Sequence, residues 1–246
     1  MAGIGGVAAL IYLRIYEKRN PAYGADRDLA VIYGLVGAIV GAKLMYLAIN
    51  AKALIGGLPY LFSDTSAFVG KYLSGGFVFF GGLYGFLLAA WIYIAASKAP
   101  KNEVWRGLIP CIPLFHGFGR IGCFLTGCCY GKVTDSWFGV CYQRAEIAPN
   151  GVPLIPVQLV EAGLEFALFV ALVYGIRKGR DYRWLLGIYM FWYGVGRFFL
   201  EFWRGDMYRG FIGALSISQI IAILTAVFGG VLVAKKEEKR KHTANR

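Results

Sequence analysis

A polar stripe within an apolar segment carries the clearest chemical signal in the sequence. Tyr193, Arg197, Glu201 and Arg204 are separated by four, four and three residues, and every residue between them is aromatic, aliphatic or glycine. At 3.6 residues per turn, this spacing predicts that they line one helix face. Two arginines beside one glutamate leave positive charge, and arginine binds phosphate through paired hydrogen bonds. The stripe therefore indicates a phosphate site; the alternative is an Arg197–Glu201 ion pair that only locks the helices together.

Arg120 is a second arginine within an apolar segment, and it lies in a glycine-rich stretch over 117–131. A charged residue at the centre of a membrane span costs about 2.5–3.5 kcal/mol and is functional by default. We interpret Arg120 as a second phosphate ligand. The glycines serve close helix packing or a broken helix that lines a cavity. His116, one turn earlier, is either a hydrogen-bonded core residue or a base.

The cysteines are the third reactive group. They include no C-x-x-C pair, so the commonest zinc and thioredoxin signatures are absent and we predict no metal. Cys128 or Cys129 could pair with Cys141 at an oxidising surface, could cycle between redox states, or could be a small packing residue. A catalytic thiolate would need a nearby cation, which Arg120 or Arg197 could supply. The five cysteines are Cys111, Cys123, Cys128, Cys129 and Cys141.

Four further polar residues lie near the ends of apolar segments. Lys43 either extends its ammonium to the membrane interface or helps bind an anion. Gln158 and Glu161 open one segment, and Gln219 opens another, as helix caps or as part of a cavity.

The elements that position these residues are predicted to cross a membrane. The chain has 246 residues, of which 58% are hydrophobic and 16% charged, whereas soluble domains are about 45–50% apolar and about 25% charged. This composition excludes intrinsic disorder and, despite a net charge of +12, argues against a nucleic-acid partner. We predict an all-α polytopic membrane protein.

Seven apolar runs define the predicted spans, at about 20 residues each. We expect one transmembrane helical domain over 1–234 and a basic cytoplasmic tail over 235–246. The first run is short for a span, so we expect its helix to be truncated at the N-terminus. The runs cover 2–16, 29–49, 77–96, 109–125, 157–176, 184–203 and 215–234.

The distribution of basic residues predicts the orientation. Seventeen lysines and arginines fall on the side of the C-terminal tail and six on the opposite side, while Lys43, Arg120 and Arg197 lie within spans. Because cytoplasmic loops are enriched in Lys and Arg, the N-terminus is expected outside and the C-terminus in the cytoplasm. The loops 50–76, 126–156 and 204–212 then face outside, and we expect the active site near the outer leaflet of a bacterial inner membrane.

Five motifs in order resemble the prolipoprotein diacylglyceryl transferase family over nearly the whole chain. The segment 119–124 reads G-R-I-G-C-F and is similar to the family's G-R-I-G-N-F, followed by Gly127 and Gly131 at the family's spacing. The other four motifs lie at 41–46, 75–83, 156–161 and 197–204. Each motif is weak alone, but five collinear motifs are specific.

The resemblance implies a seven-helix bundle with a cavity open to the bilayer. It implies transfer of a diacylglyceryl group from phosphatidylglycerol to the lipobox cysteine thiol of a prolipoprotein signal peptide. A thioether forms and glycerol phosphate leaves. The expected partners are phosphatidylglycerol, the prolipoprotein signal peptide and the lipid bilayer; we expect no cofactor, no metal and no nucleic acid. By the same resemblance, Arg120 binds the lipid phosphate, while Arg197, with Tyr193 and Glu201, stabilises the departing phosphate.

Three positions depart from the family pattern. Phe80 stands where the family has a histidine, Cys123 replaces an asparagine, and Cys128 replaces a glutamate. We therefore keep two alternatives: a divergent enzyme with another lipid donor or acceptor, and a non-catalytic phospholipid-binding membrane protein. The predicted catalytic residues are Arg197, Glu201, Tyr193 and Cys128, and the predicted substrate-binding residues are Arg120, Cys123, Gly131, Arg204 and Lys43.

Overall fold

The computed structural model describes residues 1–19, 24–70, 76–205 and 210–244. Gly75, the first residue of one quoted motif, and the last two residues of the basic tail lie outside this range. The helices are α1 (Ala2–Arg19), α2 (Gly24–Ile49), α3 (Ala51–Ser63), α4 (Thr65–Phe68), α5 (Phe79–Ala96), α6 (Lys101–Leu108), α7 (Cys111–Thr126), α8 (Val157–Arg177), α9 (Tyr182–Leu200) and α10 (Ile217–Ala244). The strands are β1 (Val140–Cys141), β2 (Pro153–Leu154), β3 (Phe211–Ile212) and β4 (Leu215–Ser216).

The helices confirm the all-α polytopic class. In the described part of the chain, five helical segments are long and apolar enough to cross a membrane. Helix α1, which ends in charged residues, is outside this set. Helix α9, which carries the polar stripe, is also outside it. The count of seven spans and the orientation stay predictions. The five segments are Gly24–Ile49, Phe79–Ala96, Lys101–Thr126, Val157–Arg177 and Ile217–Lys235.

The chain divides into two compact units, of which one covers Pro21–Val104. Its helices α2 and α5 pack through glycines four residues apart on each helix. A Cβ added at Gly85 would overlap the carbonyl oxygen of Gly37, and one at Gly81 would overlap that of Gly41. Small residues at this spacing let two membrane helices approach closely. Packing thus explains these glycines.

The other unit contains Met1–Asn20 and Trp105–Arg246, and it includes every predicted site residue except Lys43. Helix α9 packs against α10, where a Cβ at Gly194 would overlap the carbonyl oxygen of Ala222. Helix α7 packs against α8, with Gly117 against the ring of Phe166. The prediction of one domain over 1–234 stays a prediction.

Short extended segments join the ends of α7, α8 and α9. Residues 131–134 lie between the segment that precedes α8 and the segment that follows α9. The backbone N–H of Ile155 donates to the carbonyl of Lys132 at 2.9 Å, and that of Lys132 donates to the carbonyl of Trp203 at 2.8 Å. Strands β1 and β2 pair antiparallel, as do β3 and β4. These connections tie the C-terminal ends of α7 and α9 to the N-terminal end of α8.

Candidate functional site

A cluster of ionisable side chains lies buried among α7, α8 and α9. Its six members are each at most 9% exposed. Moving a charge out of water costs several kcal/mol, so such groups are retained only when paired and hydrogen-bonded. The members are His116 and Arg120 on α7, Glu161 and Glu165 on α8, Arg197 at the end of α9, and Glu201 just after it.

Helices α7 and α8 present matching pairs of residues. His116 and Arg120 are four apart on α7, and Glu161 and Glu165 are four apart on α8, so each pair occupies one helix face. Nη2 of Arg120 lies 3.0 Å from Oε1 of Glu161. Nε of Arg120 donates to Nε2 of His116 at 3.2 Å, and Nδ1 of His116 lies 2.6 Å from Oε1 of Glu165. Two contacts therefore hold the arginine side chain, and the third, to Glu165, holds the histidine that orients it.

The hydrogen bonds assign the histidine's tautomer. Arginine only donates, so Nε2 of His116 accepts from it and the ring proton sits on Nδ1, where it donates to Glu165. Both ring nitrogens of His116 are thus engaged. Of the two interpretations for His116, this geometry favours the hydrogen-bonded core residue, which orients Arg120.

Helix α9 supplies the second arginine. Nη2 of Arg197 lies 2.8 Å from a carboxylate oxygen of Glu201, one turn later, as the spacing predicts. The ring of Tyr193 meets that of His116 edge to face at 5.5 Å between centroids. Nη1 of Arg197 is buried and makes no hydrogen bond to the described residues. The ion pair therefore leaves a guanidinium donor for a further acceptor.

Arg204 does not continue the helical face, so that prediction is wrong. Helix α9 ends at Leu200, a 3-10 turn covers Glu201–Trp203, and Arg204 has extended backbone angles. It instead pairs with Gly131 in an antiparallel bridge. A Cβ at Gly131 would overlap the carbonyl oxygen of Ile155, so packing of the extended segments explains this glycine.

Three thiols meet at the end of α7. The Sγ atoms of Cys123, Cys128 and Cys129 all lie within 4.8 Å of one another. Gly127 ends the helix with a φ of 72°, and the backbone N–H of Cys128 then donates to the carbonyl of Cys123 at 3.1 Å. This Schellman geometry folds the residue after the glycine back onto the last helical turn. The five cysteines all lie in the described part of the chain and none is in a disulfide there, so neither disulfide with Cys141 is formed.

Polar groups anchor this turn to α8. Nε2 of Gln158, which is buried, donates to the carbonyl of Cys128 at 2.7 Å and lies 3.4 Å from the hydroxyl of Tyr142. Burial raises the pKa of Tyr142 above its usual value of 10.0, the hydrogen bond from Gln158 acts in the opposite direction, and the nearby Cys128 thiol adds to the rise. Gln158 therefore acts as an anchor for the thiol-bearing turn.

Lys43 and Phe80 belong to the unit formed by Pro21–Val104. Nζ of Lys43 lies 5.1 Å from the ring centroid of Tyr46 and 5.5 Å from that of Phe77. Phe80 is buried and stacks on Tyr84. Both interpretations of Lys43, interfacial extension and anion binding, stay open.

Two members of the buried cluster were missed or undervalued from the sequence. The sequence pattern alone assigns no role to Glu165, although it follows Glu161 by one helical turn. The same pattern allows two interpretations of His116, although it precedes Arg120 by one turn. Matching four-residue spacings of complementary groups on consecutive spans were the available signal.

The fold and the site define a class: a helical membrane protein with two buried arginine–carboxylate pairs, suited to binding an anion. The chain belongs to the prolipoprotein diacylglyceryl transferase family, whose family model matches residues 1–235. It is similar to the phosphatidylglycerol–prolipoprotein diacylglyceryl transferase of Clostridium tetani, with 34% identity over 93% of this chain and 88% of that protein.

Two other similar proteins carry the same description. A second such transferase of Clostridium perfringens is 33% identical over 100% of this chain and 93% of that protein. The transferase of Cupriavidus metallidurans is 32% identical over 90% of this chain and 80% of that protein. The resemblance read from the five motifs is confirmed.

Proposed function

We propose that this protein transfers the diacylglyceryl group of phosphatidylglycerol to the lipobox cysteine thiol of a prolipoprotein. Family membership supports the reaction class. The observation that carries the proposal is the buried Arg197, which is held by Glu201 and has one guanidinium nitrogen, Nη1, with no acceptor among the residues that the structure describes. A phosphate oxygen is the acceptor that such a donor fits.

At the glyceryl carbon, the reaction forms one bond and breaks one. The acceptor sulfur attacks the glyceryl carbon that carries the phosphate ester; the C–S bond forms and the C–O bond breaks. The electron pair of that bond goes to the leaving oxygen of glycerol phosphate, and the thiol proton goes to solvent. Negative charge grows on the leaving phosphate, so fixed cations in a dry site lower the barrier.

The arginines are suited to this role because they remain charged. Arginine is not deprotonated in proteins, and its planar fork matches a phosphate. We assign Arg120 to the lipid phosphate and Arg197 to the departing phosphate. His116 and Glu161 restrict the rotation of Arg120, and Glu201 restricts that of Arg197.

The remaining assignments rest on position. Tyr193 packs on His116 and is proposed to shape the space between the arginines. Gly131 and Arg204 lie side by side at the end of this region, where Arg204 would meet the lipid head group. Lys43 is proposed as an anion-binding residue of its own unit, and Cys123 and Cys128 as residues near the acceptor.

We further propose a bacterial inner-membrane location with the site near the outer leaflet. The bias of basic residues toward the C-terminal side supports this orientation. Cysteine labelling from outside intact cells is the corresponding measurement. A membrane-impermeant thiol reagent is expected to modify Cys141, which is exposed in the segment after α7, and absence of labelling in a folded protein would contradict the orientation.

The reaction is tested with purified protein in phosphatidylglycerol-containing micelles. Two peptides are supplied, one with a lipobox cysteine and one with serine in its place. We expect a diacylglyceryl mass gain on the cysteine peptide alone. Glycerol phosphate release with neither peptide modified would favour another acceptor, the alternative suggested by Phe80, Cys123 and Cys128. Lipid binding without turnover would favour a non-catalytic phospholipid-binding protein.

A further inference from the structure

We propose that Cys123, Cys128 and Cys129 bind a zinc ion through three thiolates, and that the acceptor thiol of the lipobox peptide takes the fourth position. In the described part of the chain, these three sulfurs form a compact group, all within 4.8 Å of one another. Zinc is held by thiolates at about 2.3 Å in tetrahedral geometry, which places two sulfurs about 3.8 Å apart. A contraction of about 1 Å at most would close the site.

The backbone holds the thiols in this arrangement. Cys129 has a φ of 57°, a left-handed conformation that non-glycine residues adopt at a cost. Together with Gly127 at 72°, it reverses the chain so that two consecutive loop thiols face the thiol of the last helical turn. The buried amide of Gln158 donates to the carbonyl of Cys128 and so fixes the peptide group that joins Cys128 to Cys129. The turn also places Sγ of Cys128 3.6 Å from the carbonyl oxygen of Cys123, and it gathers the three sulfurs at the end of α7.

Neighbouring groups suit a metal–thiolate centre. The hydroxyl of Thr126 lies 3.4 Å from Sγ of Cys128 and can donate to it, as outer-shell partners of metal ligands do. The guanidinium of Arg120 interacts electrostatically with Cys123 and Cys129. Three thiolates and one Zn²⁺ leave a net negative charge, which a nearby guanidinium favours electrostatically. The thiols are half-buried, so a substrate can reach the open position.

Binding at the open zinc position would supply the deprotonated acceptor thiol that the reaction needs. A free cysteine has a pKa near 8.5 and is mostly the unreactive thiol at neutral pH. His116 is engaged at both ring nitrogens and is not placed as its base. A thiol that coordinates zinc is deprotonated outright. Three protein ligands with a substrate in the fourth position is also the arrangement of catalytic zinc sites.

The step balances without an oxidant or reductant. The acceptor thiol binds Zn²⁺ and releases its proton to solvent. Its sulfur then attacks the glyceryl carbon, the C–S bond forms, and the C–O bond breaks with its electron pair on glycerol phosphate. The neutral thioether is a weaker ligand than the thiolate and leaves the zinc, which stays Zn²⁺ throughout. This inference rests on the proposed transferase function.

Metal content and a spectroscopic signature test the site directly. The full chain is purified under reducing conditions with Zn²⁺, and bound zinc is measured per chain by mass spectrometry. We expect about one zinc per chain. The Cys128→Ser and Cys129→Ser variants should lose zinc affinity by more than about 100-fold, the upper range for loss of an outer-shell partner. The matched control Cys141→Ser should keep its zinc.

Cobalt reports on the fourth position. With Co²⁺ in place of zinc, thiolate-to-metal absorption should appear and should change when the cysteine lipobox peptide is added, but not with the serine peptide. Zinc retained equally by all variants, zinc absent from a folded protein, Cu⁺ bound with no zinc, or a disulfide among the three cysteines would each overturn the proposal. An unchanged thermal unfolding curve identifies variants that still fold.

The two proposals fail in different ways. Zinc and peptide coordination without any diacylglyceryl transfer would support the metal site and refute the transferase function. Full transfer by metal-free protein would support the transferase function and refute the zinc proposal. Transfer that is lost on zinc removal and restored by Zn²⁺ alone is the result that we expect.

Discussion

The Nε–H of Arg120 donates to Nε2 of His116 across one turn of α7 at 3.2 Å. This contact uses the acceptor nitrogen of the imidazole to hold a guanidinium, while its other nitrogen meets Glu165. The buried histidine is therefore a positioning residue for an arginine. Its two ring nitrogens orient Arg120. The guanidinium of Arg120 must be fixed for a phosphate to be bound through two hydrogen bonds.

The first prediction concerns the two arginines. Arg120→Lys and Arg197→Lys keep the charge but lose the bidentate fork, so each should reduce diacylglyceryl transfer by about 10²-fold or more. Initial rates at saturating phosphatidylglycerol provide the measurement. Arg183→Lys, on the exposed start of α9, is the matched control and should leave the rate unchanged. Near-normal rates in both site variants would argue against phosphate binding by these arginines.

The second prediction concerns the coupling between His116 and Glu165. His116→Phe removes the histidine's bonds to Glu165 and Arg120 and leaves Glu165 buried without this partner, which should lower the free energy of unfolding by about 3 kcal/mol. Glu165→Leu alone leaves the ring proton unpaired.

A double-mutant cycle separates pairing from general disruption. The His116→Phe, Glu165→Leu double variant should be less destabilised than the sum of the single variants, by about 1–3 kcal/mol. Unfolding in detergent gives the four free energies. Strict additivity would mean that the 2.6 Å contact contributes nothing.

The third prediction tests the glycine contact between α2 and α5. A Cβ at Gly85 would overlap the carbonyl oxygen of Gly37, so Gly85→Ala should force the helices apart and cost about 1–3 kcal/mol. Gly56→Ala is the control in the same unit, because none of the described atoms lies within 4 Å of its added Cβ. Equal unfolding temperatures for the two variants would refute the close approach.

The fourth prediction is a pH dependence at Tyr142. Burial raises the pKa of this phenol in the folded protein, so the folded state holds its proton more tightly than the unfolded state. The contribution to stability is complete below the unfolded value of about 10 and is lost as the pH rises through the folded pKa. Between pH 6 and 9, roughly, Tyr142→Phe should therefore show the same pH profile of unfolding as the unmodified chain.

Ultraviolet titration checks the direction of that shift. The difference spectrum between the unmodified chain and Tyr142→Phe isolates one phenol, which should ionise above its ordinary pKa of about 10. Ionisation at or below that value would show that the hydrogen bond from Gln158 outweighs burial. The protein's secondary structure is followed in parallel, so that loss of folding is distinguished from titration.

The sequence allowed the Arg197–Glu201 pair to be predicted because both residues belong to one helical repeat. The end of α9 at Leu200 could not be predicted, since Arg204 fits the same repeat and only its pairing with Gly131 reveals the extended backbone. Contacts between helices, such as Arg120 with Glu161, depend on which faces meet, and one sequence does not determine that.

The thiol cluster shows a different limit. The positions Cys123, Cys128 and Cys129 contain no C-x-x-C pair. Their sulfurs come together because the chain turns back where the helix ends. Gly127 was the available signal: a glycine that ends a helix brings the residue after it onto the residue four before it. Those two residues are Cys128 and Cys123. The backbone conformation of Cys129 had no counterpart in the sequence pattern.

If a buried arginine centre transfers lipid from phosphatidylglycerol to a peptide thiol, each thioether formed releases one glycerol phosphate. The decisive measurement is the molar ratio of glycerol phosphate released to thioether peptide formed in a single reaction. We predict equal amounts throughout the time course, with both products falling together in Arg197→Lys. Glycerol phosphate in large excess over thioether peptide, or a thioether yield that Arg197→Lys leaves unchanged, would contradict the account.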